Sequence, residues 1–132
     1  PAAAPTAAPA PAPAPAAAPT PGGTVAGAFS AAQAGRGRAA YTKACSSCHL
    51  DDLSGSDQAP ALAGDSFVSF WVGMSAGDLV DRVRTTMPLD HPGSLSAAAA
   101  IDIVAFVLQS NRFPAGSQEL TSDTIRKVTI RR

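Results

Sequence analysis

Gly37-Arg38-Ala39-Ala40-Tyr41-Thr42-Lys43-Ala44-Cys45-Ser46-Ser47-Cys48-His49 is the stretch on which the fold turns. Its last five residues hold both cysteines of the chain. Read as Cys-x-x-Cys-His, they form the attachment pattern of a c-type haem. Two thiols add across the haem vinyl groups and become thioethers. On a helical turn, two intervening residues separate the sulfurs by about the span between the vinyls, and the adjacent histidine turns toward the iron as an axial ligand. Upstream, Gly37, Tyr41 and Cys45 recur every four residues and share one helix face. A glycine inside a helix costs about 1 kcal/mol relative to alanine, which close approach of another helix would offset.

Three plainer readings compete for the pentapeptide. A redox dithiol belongs at a strand-to-helix junction in a βαβ pattern, yet the residues before Cys45 are Ala-, Arg- and Lys-bearing and read as helix. A structural zinc site needs four ligands, and outside the motif only His91 remains of the histidines and cysteines. Two buried, inert cysteines would leave His49 without a role.

The chain has 132 residues and a net charge of zero. That length is short for two substantial domains. The charge balance gives no field that would favour nucleic acid, and none is expected as a partner. Alanine supplies much of the apolar fraction, and no apolar run is long enough to span a bilayer. The first residue is Pro1 rather than Met, so removal of an upstream leader is expected. Covalent haem attachment takes place outside the bacterial cytoplasm, which leads us to expect a periplasmic protein, free, membrane-tethered or complex-associated.

Three regions are expected. Residues 1–28 form a Pro/Ala-rich linker or tether. Up to about Gly23 this segment holds only Pro, Ala, Thr and Gly. It cannot bury enough surface to offset its ordering entropy. Its proline content favours extended polyproline II, reaching on the order of 70 Å at about 3.1 Å per residue. It reads as a leash, or as a strap engaging a partner such as a large membrane complex. Residues 29–112 form the folded domain. Ser30-Ala31-Ala32-Gln33 fits a capping box for a helix running to about Ala44. A loop over 50–64 follows, then a short apolar helix over 66–73. A helix capped at Ser75 stops before Met87-Pro88, with Leu79, Val80 and Val83 inward and Asp81, Arg82 and Arg84 outward. The last helix, capped by Ser94 or Ser96, runs to about Ser110, with Ile101, Val104, Ala105 and Leu108 on its apolar stripe. Residues 113–132 form a C-terminal extension without helical period, in which 127–131 alternate polar and apolar like a strand.

Taken together these residues resemble a class I cytochrome c over about Ser30 to Asn111. Gly37, Tyr41, Cys45, Cys48 and His49 match that family's first-helix pattern, with Phe106 as the aromatic on the last helix. The resemblance implies an all-α cytochrome c fold of three to five helices around one covalent haem c. It implies that the carbonyl of Pro60, in the segment Pro60-Ala61-Leu62, accepts the second ring N–H of His49. It also implies that Met87 supplies the distal sulfur. Met74 and His91 compete with Met87, but Met74 reads as core and His91 as an exposed turn residue. Trp71 and Arg84 are candidates to pair with haem propionates. A further likeness, through Met87-Pro88, Pro92-Gly93-Ser94-Leu95-Ser96 and the last helix, is to the cytochrome modules that accompany quinoprotein alcohol dehydrogenases. The implied function is single-electron transfer between a redox donor and acceptor. The alternatives are a wiring subunit held permanently in a larger redox complex, and a haem enzyme with an open distal site.

Overall fold

A computed structural model describes residues 23–132 of the chain. The expected polyproline tail therefore lies outside the described residues over 1–22. The described part is all-α apart from one two-residue strand pair. It comprises β1 (Gly23–Thr24), α1 (Ala31–Ala44), α2 (Ser46–His49), α3 (Asp65–Trp71), α4 (Ala76–Thr86), α5 (Ala97–Ser110) and β2 (Val128–Thr129).

Each long helix starts where a side chain can satisfy a free backbone donor. Ser30 accepts from Gln33 N, and Ser96, rather than Ser94, accepts from Ala99 N. Ser75 and Asp78 form a complete capping box, with bonds of 2.9 and 3.0 Å. The box expected at Ser30 is only half made. Gln33 does not reach back to Ser30; its buried amide instead brackets Leu120, donating from Nε2 to the carbonyl at 2.9 Å and accepting from the N–H at 2.8 Å. A capping bond would satisfy one donor, whereas this arrangement satisfies two backbone groups of a distant segment. We expect Gln33→Ala to lower unfolding free energy by about 2 kcal/mol in urea titration, because both backbone groups of Leu120 lose their partners.

The centre of the fold is the crossing of α1 and α5. At Gly37 the two backbones come so close that a Cβ would lie 1.8 Å from the carbonyl oxygen of Asp102. One turn on, Tyr41 meets Phe106 with ring centroids 5.2 Å apart. Residues 100, 101 and 103–108 of α5 are all buried, as its apolar sequence requires. Helices α3 and α4 close the side of this pair and leave a cavity between them and α5.

Core packing continues past both ends of residues 29–112. Val25 and Ala28 are buried, so packing begins before residue 29. The C-terminal extension after 112 packs onto the domain, with Phe113, Leu120, Ile125, Val128 and Ile130 buried in the same core. Burying five such side chains contributes on the order of 10 kcal/mol before ordering entropy is subtracted, enough to hold the segment down. β1 and β2 pair in parallel, with Gly23 opposite Val128 and Thr24 opposite Thr129. The other edge of this segment fastens the α3–α4 turn: Gly73 N donates to Ile130 O and Ile130 N to Met74 O, at 2.9 and 2.8 Å. Arg36 adds ion pairs to Glu119 and Asp102 at 2.6 and 3.4 Å. These are solvent-exposed and contribute little.

Candidate haem site

The cysteine–histidine motif is wound by its own backbone. The N–H of Cys45 closes α1 on the Tyr41 carbonyl, and the Cys45 carbonyl then accepts from Cys48 N and His49 N at 3.3 and 2.9 Å. The turn places Cys45 and His49 in the interior, while Cys48 is half-buried. Leu50 follows with φ of 68°, which reverses the chain, and its carbonyl accepts from the Tyr41 hydroxyl at 2.6 Å. The loop then folds back beneath the motif. Gly55 has φ of 81°, and a Cβ there would lie 2.6 Å from Ala61 N and 2.7 Å from Ala59 O. Only glycine allows both that dihedral and that approach.

The loop thereby delivers the Pro60 carbonyl to within 2.8 Å of His49 Nδ1. A carbonyl oxygen can only accept, so Nδ1 carries the proton and Nε2 is left with a free lone pair, the state a metal-binding imidazole needs. The carrier segment is itself anchored. Asn111, buried at the end of α5, donates to the Leu62 carbonyl and accepts from Gly64 N, both at 2.9 Å.

Cys45, His49, Pro60, Leu62, Trp71 and Met87 come together on the wall of one largely apolar cavity of about 380 Å³. A second cleft of about 680 Å³ adjoins it and is lined by Cys48. Cys45, His49 and Met87 border both. Such volumes are ordinary for a cofactor site. Seven of the eight residues singled out from sequence therefore meet in one place. Arg84 does not. It is exposed on α4 and borders neither cavity. Arg82 is exposed, as expected, but unlike Arg84 it also borders the cavity, with its guanidinium carbon 5.8 Å from the Trp71 ring centroid. The helical period explains the difference: residues 79, 82 and 83 lie on one face, and 84 is two positions, about 200°, round from 82. Met74, expected in the core, is 37% exposed and borders neither cavity. His91 is exposed on the rim of the second cleft. Asn111 and Phe70, which lines the cavity mouth and meets Trp71 edge-on at 5.3 Å, were not singled out from sequence. Nothing local marks either residue.

The chemistry of the site fits haem and not the competing readings. Burial pushes the Cys45 thiol up to about 11, whereas a redox dithiol needs a lowered value. No group of three or more His, Cys, Asp or Glu able to hold a metal ion forms among the described residues, so a tetrahedral zinc site is not assembled. What the site offers is an apolar slot, two thiols at its edge, an oriented imidazole and a thioether.

Known proteins agree with this. The family described as cytochrome c oxidase, cbb3-type, subunit III matches residues 32–107, more than half of the chain. No curated protein matches. Among solved structures, a chain of the sulfane dehydrogenase SoxCD from Paracoccus pantotrophus superposes with a TM-score of 0.58 at 26% identity. The match covers 73% of this chain and 52% of that one, so this chain spans about half the length of its structural relative. With the matched segment running from the first helix through the motif to the last, the chain belongs to the cbb3-type subunit III cytochrome family and is a class I c-type cytochrome carrying covalent haem c.

Proposed function

We propose that this protein passes single electrons between redox proteins in the bacterial periplasm through a haem bonded to Cys45 and Cys48 and ligated by His49 and Met87. The bound haem supplies a reversible one-electron ferric/ferrous couple. The observation that carries the reading is the hydrogen bond from His49 Nδ1 to Pro60 O at 2.8 Å, on a ring that shares its cavity with Met87. The proline carbonyl fixes the ring and raises the basicity of the free nitrogen. Met87 sits at the stop of α4, where Pro88 ends the helix and the chain turns. With His49 and Met87 both holding a haem, its iron would offer no position to a substrate, which favours electron transfer over catalysis. Histidine–methionine ligation would raise the potential of that haem.

Met87→Ala tests this directly. The ferric protein is expected to lose the near-infrared band of methionine–iron ligation. Its potential should fall by on the order of 100 mV, roughly two decades in the ferrous/ferric ratio at 59 mV each. An unchanged spectrum would remove Met87 from the iron and leave room for the open-site enzyme.

A second reading, a permanently bound subunit of a redox complex, is favoured by the family's description and by the SoxCD likeness. The Pro/Ala-rich tail would then be its strap. No helix among the described residues is long and apolar enough to cross a membrane. Hydrodynamic size of native material separates the readings: a particle near 13.2 kDa is a carrier, and a larger stable assembly is a subunit.

A further inference from the structure

Arg82 is the only charged side chain among the described residues that line the apolar cavity. Its neighbours there are almost all hydrocarbon or aromatic, with Trp71, Leu79 and Val83 beside it. None of the ion pairs among the described residues involves it. The acidic partners on its own helix, Asp78 and Asp81, are both taken by Arg126, at 3.9 and 2.7 Å. Trp71 is buried and fixed by Phe67 and Phe70, with centroids at 6.3 and 5.3 Å. It provides a rigid platform beneath the guanidinium at 5.8 Å. Arg82 is exposed at the rim of the slot, over an aromatic face and in none of the ion pairs of the described residues, which suits it to an anion that arrives with the slot's occupant and reaches the rim. The charged substituents of haem are its two propionates.

We propose that Arg82 binds a haem propionate, a pairing for which the sequence offered Trp71 and Arg84 as candidates, and thereby sets the reduction potential. The inference rests on the haem-carrier reading above and deepens it. The guanidinium offers a planar fork of donors matched to a carboxylate. An uncompensated propionate in an apolar slot stabilises the ferric, more positive iron, and the paired cation removes that bias. Arg82 therefore holds the potential up. Lys43, the basic residue on the rim of the adjoining cleft, is the competing cation.

The test is potentiometry on the purified holoproteins Arg82→Gln, Arg82→Lys, Arg84→Gln and Lys43→Gln, with resonance Raman spectra of each. Arg82→Gln is expected to shift the ferrous/ferric ratio about tenfold toward ferric, 59 mV for one electron, and to move the propionate bending mode. Arg82→Lys should restore most of the potential because the charge is kept. Arg84→Gln and Lys43→Gln should match the parent in both readouts. An Arg82→Gln protein with the parent's potential and Raman band overturns the proposal, as does an equal or larger shift in the Arg84 or Lys43 variant. The methionine–iron band reports the carrier reading separately. If it persists in every variant while the potentials coincide, only the role of Arg82 has failed; if the parent itself lacks it, the carrier reading has failed first.

Discussion

Gly37→Ala is expected to destabilise the holoprotein by about 2 kcal/mol or more, and Gly35→Ala, two residues away on the same helix, to stabilise it. The added methyl at 37 would sit 1.8 Å from Asp102 O and 2.4 Å from Asp102 C. Both are backbone atoms of α5 and cannot rotate aside. The helices must separate, and the Tyr41–Phe106 contact one turn away opens with them. Alanine's better helix propensity returns about 1 kcal/mol. Overpacking of a close crossing costs about 3 kcal/mol or more, so the clash wins. At 35 nothing lies within 4 Å of the added methyl, and the propensity gain of about 1 kcal/mol stands alone. For a domain of this size the expected changes in melting temperature are roughly 8–16 °C downward at 37 and a few degrees upward at 35. Equal behaviour of the two variants in a thermal melt would refute the crossing geometry.

Cys45→Ala/Cys48→Ala is expected to release the pigment into acidified organic solvent and to leave a protein near the edge of stability. The thioethers are the covalent part of the attachment, and no other cysteine exists to replace them. Once the haem can leave, the cavity of about 380 Å³ loses its filling. At about 24 cal/mol per Å³, an unrelaxed void of that size costs on the order of 9 kcal/mol. That compares with a total stability of about 5–15 kcal/mol for a domain. Partial collapse and the open mouth lower the figure, so we expect a loosely packed state rather than a random chain. Near-ultraviolet circular dichroism should lose the Trp71 signal while far-ultraviolet helix content largely remains. Retention of the haem through acid–solvent extraction would show that the two sulfurs are not its anchor. Retention of native near-ultraviolet signal after haem loss would show that the cavity closes by itself.

How much of this could be read in advance varies with the distance over which each feature is decided. The haem motif is legible because Cys45, Cys48 and His49 act within one turn, and their spacing carries the geometry. The helices are legible because apolar period and capping residues are local signals, as at Ser75–Asp78 and along 100–108. The stop of α4 at Met87 is legible because Pro88 disfavours helix at the residue before it. The long-range partners are not. Gln33 has the right residue type for a capping box, and its true partner is 87 positions away at Leu120. Arg82 and Arg84 are chemically equivalent in the chain, and only the rotation of α4 against the cavity separates them.

The amino-acid order by itself determined the cofactor's anchor, the histidine and the sequence of helices, since each depends on contacts a few residues apart that backbone geometry dictates. Tertiary structure alone decided where the folded unit ends, because 113–132 bury side chains at irregular spacing against α1 and the α3–α4 turn. Their burial follows from surfaces presented by distant elements and leaves no period to read. The same physics brings β1 to β2 across more than a hundred residues and leaves Arg82, in none of the ion pairs of the described residues, at the edge of an apolar slot.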